Sequence, residues 1–320
     1  DSDPSRGLGD VYKRQVFRGA QGTFLGLIVL TIFFSIASPY FFQARNFINI
    51  LDQVTVLGIM ALGMTAVIII GGIDLSVGSI LALSMMVTGW VWDAFGIPLH
   101  YACLVGIFIG SMAGFTNGLL VSYLRLPAFI ATLAMLSAAR GLANIFTDGK
   151  QIYGFPEWLT NLSVVRHFGF IPVTMLVFIF LTILCWVLLK YRKEGRNLYA
   201  IGGNPEVARL SGINVKGTTV VVYTISGFLS GIAGILLTAR LNTCVPQAGF
   251  TYELDVIAAV VIGGASLNGG VGSIAGTIVG VFIIGVLRNG LNLLGFSPFV
   301  QGVVIGCLLY TSDAADDTSG

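Results

Sequence analysis

The stretch GMTAVIIIGGIDLSVGSILAL, Gly63 to Leu83, sets two uncharged apolar runs on either side of a glycine pair and a single acid. Gly71 and Gly72 can break a helix, and Asp74 can then cap the next one by accepting from amides two or three residues on. An acid at such a join also suggests a polar pathway, with Ser76 and Ser79 just beyond it. The two readings are compatible, because a broken helix end exposes backbone groups that can contact polar solutes.

The same character extends in both directions. Of 320 residues, 55% are hydrophobic and only 10% charged, with a mean hydropathy of +0.89, whereas soluble domains carry roughly 25% charged residues. A hydrocarbon core about 30 Å thick needs ~20 apolar residues per helix. Uncharged runs at Phe24 to Phe42, Val54 to Ile70, Leu75 to Trp92, Leu99 to Leu124, Leu126 to Phe146 and Phe168 to Leu189 supply six spans. Gly217 to Ala239, the run Val256 to Leu287 divided in two by GGASLNGGVG, and a short run ending near Tyr310 supply four more. The expected fold is an all-α integral membrane protein of about ten transmembrane helices, some of them broken. The 42 glycines suit close helix packing. No length remains for a soluble catalytic domain.

Charge orients these spans. Six of the 17 Lys and Arg residues (Lys190, Arg192, Lys193, Arg196, Arg209 and Lys216) fall in residues 190–216, which the positive-inside rule makes a cytoplasmic loop. Arg14, Arg18 and Arg125 then also lie inside, while Arg140, Lys150 and Arg166 fall against the rule at the outer side. Only Asp74 and Arg140 read as charges within the membrane. The polar ends, residues 1–15 and 311–320, read as non-native or disordered tails around a membrane domain of residues 16–310. An internal echo links LVGIFIGSMAGFTNGLL, from Leu104, with IVGVFIIGVLRNGLNLL, from Ile278. Lying five spans apart, the copies would cross in opposite directions, as an inverted repeat requires.

Catalytic signals are sparse. Cys103, Cys185, Cys244 and Cys307 have no ligand spacing, His100 and His167 are isolated, and no GxSxG, HExxH or GxxxxGK[ST] motif occurs. These features favour neither a metal centre nor a nucleophilic triad, and energy from ATP would have to enter from another chain. The loop GRNLYAIGGNPEVARLSGI is more informative. Asn204 suits an N-cap, Pro205 the first helical position and Glu206 the positive helix end, and Gly212 can close the helix. A short helix from Pro205 to about Leu210 is predicted. With Val207 and Leu210 apolar and Glu206 and Arg209 charged, it suits either docking into another protein's groove or a plain surface connection.

GGIDLSVGS, NGLLVSYLRLPAFIATLAMLSAARGL, GRNLYAIGGNPEVARLSGI and VIGGASLNGGVGS, in this order and spacing, resemble the permease subunit of bacterial ABC importers for monosaccharides, the ribose-permease type. The resemblance covers roughly Val16 to Cys307. It implies a permease homodimer in membrane lipid, a cytoplasmic ABC ATPase carrying ATP and Mg, and a periplasmic or extracellular sugar-binding protein. No cofactor on this chain and no nucleic acid are implied. Asn204, Pro205, Glu206, Ala208, Arg209 and Gly212 would form the helix coupled to the ATPase, and Asp74, Ser76, Ser79 and Asn117 would border the translocation pathway. The rival functions are a secondary carrier, which would call for several acids or a His relay in the membrane, and an intramembrane enzyme, which needs a nucleophile with a base or metal set.

Overall fold

The computed structural model describes residues 22–317 apart from 168 and 170. The expected tail of residues 1–15, Arg14 and Arg18, and residues 318–320 lie outside the described residues. Thirteen helices follow one another among those described. They are α1 (Gly22–Ala37), α2 (Ala44–Ile69), α3 (Val77–Phe95), α4 (Leu99–Ser122), α5 (Ala128–Ile145), α6 (Glu157–Val164), α7 (Val173–Tyr191), α8 (Lys193–Gly203), α9 (Pro205–Leu210), α10 (Val215–Leu241), α11 (Tyr252–Ile262), α12 (Ile274–Leu293) and α13 (Pro298–Asp317). Seven of these, α2, α3, α4, α5, α7, α10 and α12, are long and apolar enough to cross a membrane. With the shorter α1 and α11 and the apolar part of α13, Pro298–Leu308, each of the ten expected runs is helical.

Boundaries depart from expectation where local chemistry overrides hydropathy. α1 stops at Ala37 rather than Phe42, because Ser38 precedes Pro39 and is pushed away from helical geometry. α2 begins ten residues before Val54 and admits Asp52, whose carboxylate is paired bidentately with Arg166 at 2.9 and 2.7 Å. α13 continues past Tyr310 to Asp317. The helices α6 and α8 were hidden by their polar residues; α8 exists because Leu198 and Ile201 put an apolar stripe on one face.

Small residues fix the packing. Gly106, Gly110, Gly114 and Gly118 recur every fourth position of α4; the first faces α3, and the other three leave a bare ridge along which α10 runs antiparallel. A β-carbon at Gly110 would lie 2.8 Å from the Gly227 carbonyl oxygen, and one at Gly118 2.7 Å from Val220 Cα. Backbones can therefore touch where the apolar driving force between helices is weak. α2 and α3 also pack on α10, and these three helices with α12 form the buried centre, α4 lying against it on one side. The internal echo has a structural counterpart. Gly106 of α4 abuts the Ser84 carbonyl of α3, and its match Gly280 of α12 abuts the Ala259 carbonyl of α11.

Two helices are broken. Between α2 and α3 the chain is irregular over residues 70–76, and between α10 and α11 over residues 242–251, apart from a two-residue strand. α2 ends on the face that carries the basic loop, where Gly270 N donates to Ile69 O at 2.8 Å and Tyr199 Oη of α8 donates to Gly272 O at 2.8 Å. α10 ends on the opposite face, where Arg240 donates to Asp52 O at 3.3 Å. The starts of α3 and α11, reached from these two faces, meet where Gly78 touches the Gly249 carbonyl. Strands β1 (Ile152–Tyr153) and β4 (Thr243–Cys244) pair antiparallel, as do β2 (Arg166–His167) and β3 (Ile171–Pro172). The first pair ties the α10–α11 connection to the chain after α5. Two of the three cations that offended the charge rule, Arg140 and Arg166, are engaged here. Arg140 donates to the Pro246 and Ala248 carbonyls at 2.8 and 2.7 Å, and the Asp52 carboxylate holds the Arg166 guanidinium more firmly protonated than usual through its hydrogen bonds.

Candidate functional site

The break after α2 builds a buried polar knot. Asp74 Oδ1 accepts from Ser76 N at 3.0 Å and from Ser76 Oγ at 2.5 Å, and its Oδ2 accepts from Ser226 Oγ of α10 at 2.9 Å. Asn117 Nδ2, from α4, donates to Ser76 Oγ at 2.8 Å. Asp74 thus takes the amide two residues on, as expected of a cap, although Ser76 itself occupies the N-cap position of α3. Asp74, Ser76 and Asn117 are brought together with no solvent exposure. Ser79, one turn into α3, is equally buried, and its hydroxyl has no partner among the described residues. Ser226 belongs to the same network but gave no signal in the sequence, being one serine among the small residues of a span about 150 positions away.

At the face opposite the basic loop, α2, α10, α11, α12 and α13 converge around a cavity of 480 Å³. Its lining includes Gln53, Arg240, Gln247, Tyr252, Asp255, Arg288 and Asn292 among leucines and glycines. The Asp255 side chain is 3% exposed and accepts from Arg288 Nη2 at 2.7 and 2.6 Å. This corrects the expectation that only Asp74 and Arg140 are charges within the helical body. TYELD reads as a connection between spans, and Arg288 follows directly on an uncharged run, so neither was visible as intramembrane. None of Asp74, Ser76, Ser79 or Asn117 lines this cavity, nor the apolar groove of 510 Å³ between α7, α8 and α10. Among the described residues, no group of three His, Cys, Asp or Glu side chains could hold a metal ion.

On the basic face, α9 has the predicted bounds. Asn204 Oδ1 accepts from the amides of Glu206 and Val207 at 3.0 and 3.1 Å, and Pro205 fills the first turn where no donor is needed. Gly212, at φ +83, turns the chain so that Ile213 N reaches back to Ala208 O at 3.1 Å, a closure open to few residues besides glycine. Ala208 is buried, whereas Val207 is 58% and Leu210 77% exposed. Glu206 and Arg209 pair at 2.8 Å on the surface, and the guanidinium hydrogen bonds hold the carboxyl below the usual glutamate range. One residue before this cap, Gly203 follows Gly202, which lies against Ile69 O and the Gly270 amide. The surface helix is therefore joined by direct packing to the end of α2, from which the Asp74 segment departs.

The comparisons with known proteins agree with this architecture. Residues 46–312 match the family described as branched-chain amino acid transport system, permease component. The ribose import permease protein of Bacillus subtilis (strain 168) is 46% identical, over 90% of this chain and 89% of its own length. The D-allose transport system permease protein of Escherichia coli (strain K12) is 38% identical, over 94% and 92%. The xylose transport system permease protein of Haemophilus influenzae is 34% identical, over 89% and 92%. No solved structure matches the chain.

Proposed function

Since this chain belongs to the family of transport-system permease components, alongside the ribose, allose and xylose permeases, we propose that it is the membrane-spanning subunit of an ATP-driven importer for a monosaccharide. It is a multi-pass membrane protein and a transport component rather than a catalyst. In this reading the basic face is cytoplasmic, and α9 seats in a cleft of a separate ABC ATPase that holds ATP and Mg. A second permease copy completes the path, and an external binding protein delivers the sugar. The observation that carries the reading is α9 itself: a capped helix leaving two large apolar side chains, Val207 and Leu210, exposed on the most basic face. A plain connector gains nothing from exposing them, whereas a docking helix buries them against its partner.

ATPase movements would pass from α9 through Gly202 to the end of α2 and the Asp74 knot, along the packing contacts described above. Asp74, Ser76, Ser79 and Asn117 would then border the path as groups whose arrangement shifts when the knot moves. The test is co-purification. Val207→Asp with Leu210→Asp should leave the protein inserted in the membrane while its ATPase no longer co-purifies and sugar uptake falls at least about tenfold, the effect of losing ~1.4 kcal/mol of docking energy. Normal ATPase retention and uptake by that variant would return α9 to the connector reading.

A further inference from the structure

The two halves of the chain carry matching polar junctions with opposite access. In the first half, the segment leading into α3 meets the end of α4 in the sealed knot of Asp74, Ser76 and Asn117. In the second half, the start of α11 meets the end of α12 through Asp255 and Arg288, and that junction opens into the 480 Å³ cavity. Resting on the importer reading, we infer that this cavity is a binding site for an uncharged, polyhydroxylated solute, with Gln53, Asn292, Arg288 and Asp255 as its polar contacts.

The volume lies within the range of small-molecule sites, roughly 300–1,000 Å³. The chemistry of the lining is selective. A sugar hydroxyl both donates and accepts, and so do the side-chain amides of Gln53 and Asn292, which make no hydrogen bond within the described protein. The single carboxylate, Asp255, is already engaged by Arg288 through both oxygens. With Arg240 and Arg288 against Asp255 the lining carries one net positive charge, so it offers an ammonium group no free counter-charge. A polyamine is disfavoured, an amino acid finds no partner for its ammonium group, and a neutral polyol satisfies both the donors and the acceptors.

The experiment uses the complete importer in right-side-out membrane vesicles, with Cys103, Cys185, Cys244 and Cys307 replaced by Ala and a single Leu241→Cys introduced, at a lining position outside the four polar contacts. A membrane-impermeant methanethiosulfonate should label this cysteine from outside. One or more of D-ribose, D-allose and D-xylose should slow labelling about tenfold at ten times the half-protecting concentration, as occupancy of one site requires, and L-leucine should not. Gln53→Leu in the same background should abolish protection without changing the unprotected rate. A Tyr153→Cys control, on the same face outside the cavity, should be labelled at one rate throughout. Absence of labelling, or labelling that stays fast in the presence of a sugar these vesicles take up, would overturn the site and leave the importer reading standing. Protection by L-leucine would overturn the polyol assignment, and uptake of L-leucine with none of the three sugars taken up would bring down the importer reading as well.

Discussion

Asp74 and Glu206 illustrate how differently two acids of this chain work. Asp74 is dry and accepts three hydrogen bonds from Ser76 and Ser226, so Asp74→Ala strands three donors in a sealed region. At about 1–3 kcal/mol for each buried unsatisfied group, the variant should lose at least about 3 kcal/mol of stability, and Asp74→Asn, which keeps an acceptor, should lose less. Thermal unfolding of the detergent-solubilised protein would read both, and equal midpoints for Asp74→Ala and the parent would refute the structural role of the knot. Glu206 is fully in water, and its carboxyl is held below the ordinary range by Arg209. Because the folded value is depressed, the pair's contribution to α9 is present at neutral pH and is lost only as pH falls through that lowered value. Carbon-13 NMR should show Glu206 titrating below the usual ~4.3 and rising toward it in Arg209→Gln; an unchanged titration in that variant would mean the pair does not form in solution.

The ten apolar helices and α9 were legible because each rests on a local signal: an uncharged run, or a cap with its closing glycine. What was not legible is long-range. Ser226 joins Asp74, and Arg288 finds Asp255, only because α10 and α12 pack beside the breaks, and hydropathy along the chain carries no record of that. The same limit hid the early start of α2, since Asp52 is tolerable only once Arg166 has reached it. Glycines were visible as a composition but not as a seam. That seam predicts a contrast between two helical positions. Gly114 faces the backbone of α10, whereas a β-carbon at Gly141 of α5 meets nothing within 4 Å. Gly114→Ala should separate α4 from α10 and destabilise by about 1–3 kcal/mol, while Gly141→Ala should be neutral or stabilising by ~0.5–1 kcal/mol. Similar melting temperatures for the two variants would contradict the packing described.

For the whole molecule, the basic loop, the ends of α2 and α11 and the start of α12 share one face, while the ion pair of Asp52 with Arg166 and the cavity share the other. Cysteines introduced at Asn197 and Asn214 should therefore be labelled only from the cytoplasmic side of intact cells, and labelling of either from outside would invert the orientation. The structure weakens one argument against a secondary carrier, because Asp255 and Arg288 add charges within the helical body, yet these two neutralise each other in place. The chain has no P-loop to cradle phosphates, and α9 presents its apolar residues outward. Work is thus expected to enter through a partner. The most direct test is solute uptake by the purified permease in proteoliposomes, first alone under an imposed proton or sodium gradient, then with its ATPase, its binding protein and ATP. The account predicts monosaccharide accumulation only in the second preparation; accumulation driven by a gradient in the first, without any ATPase, would contradict it.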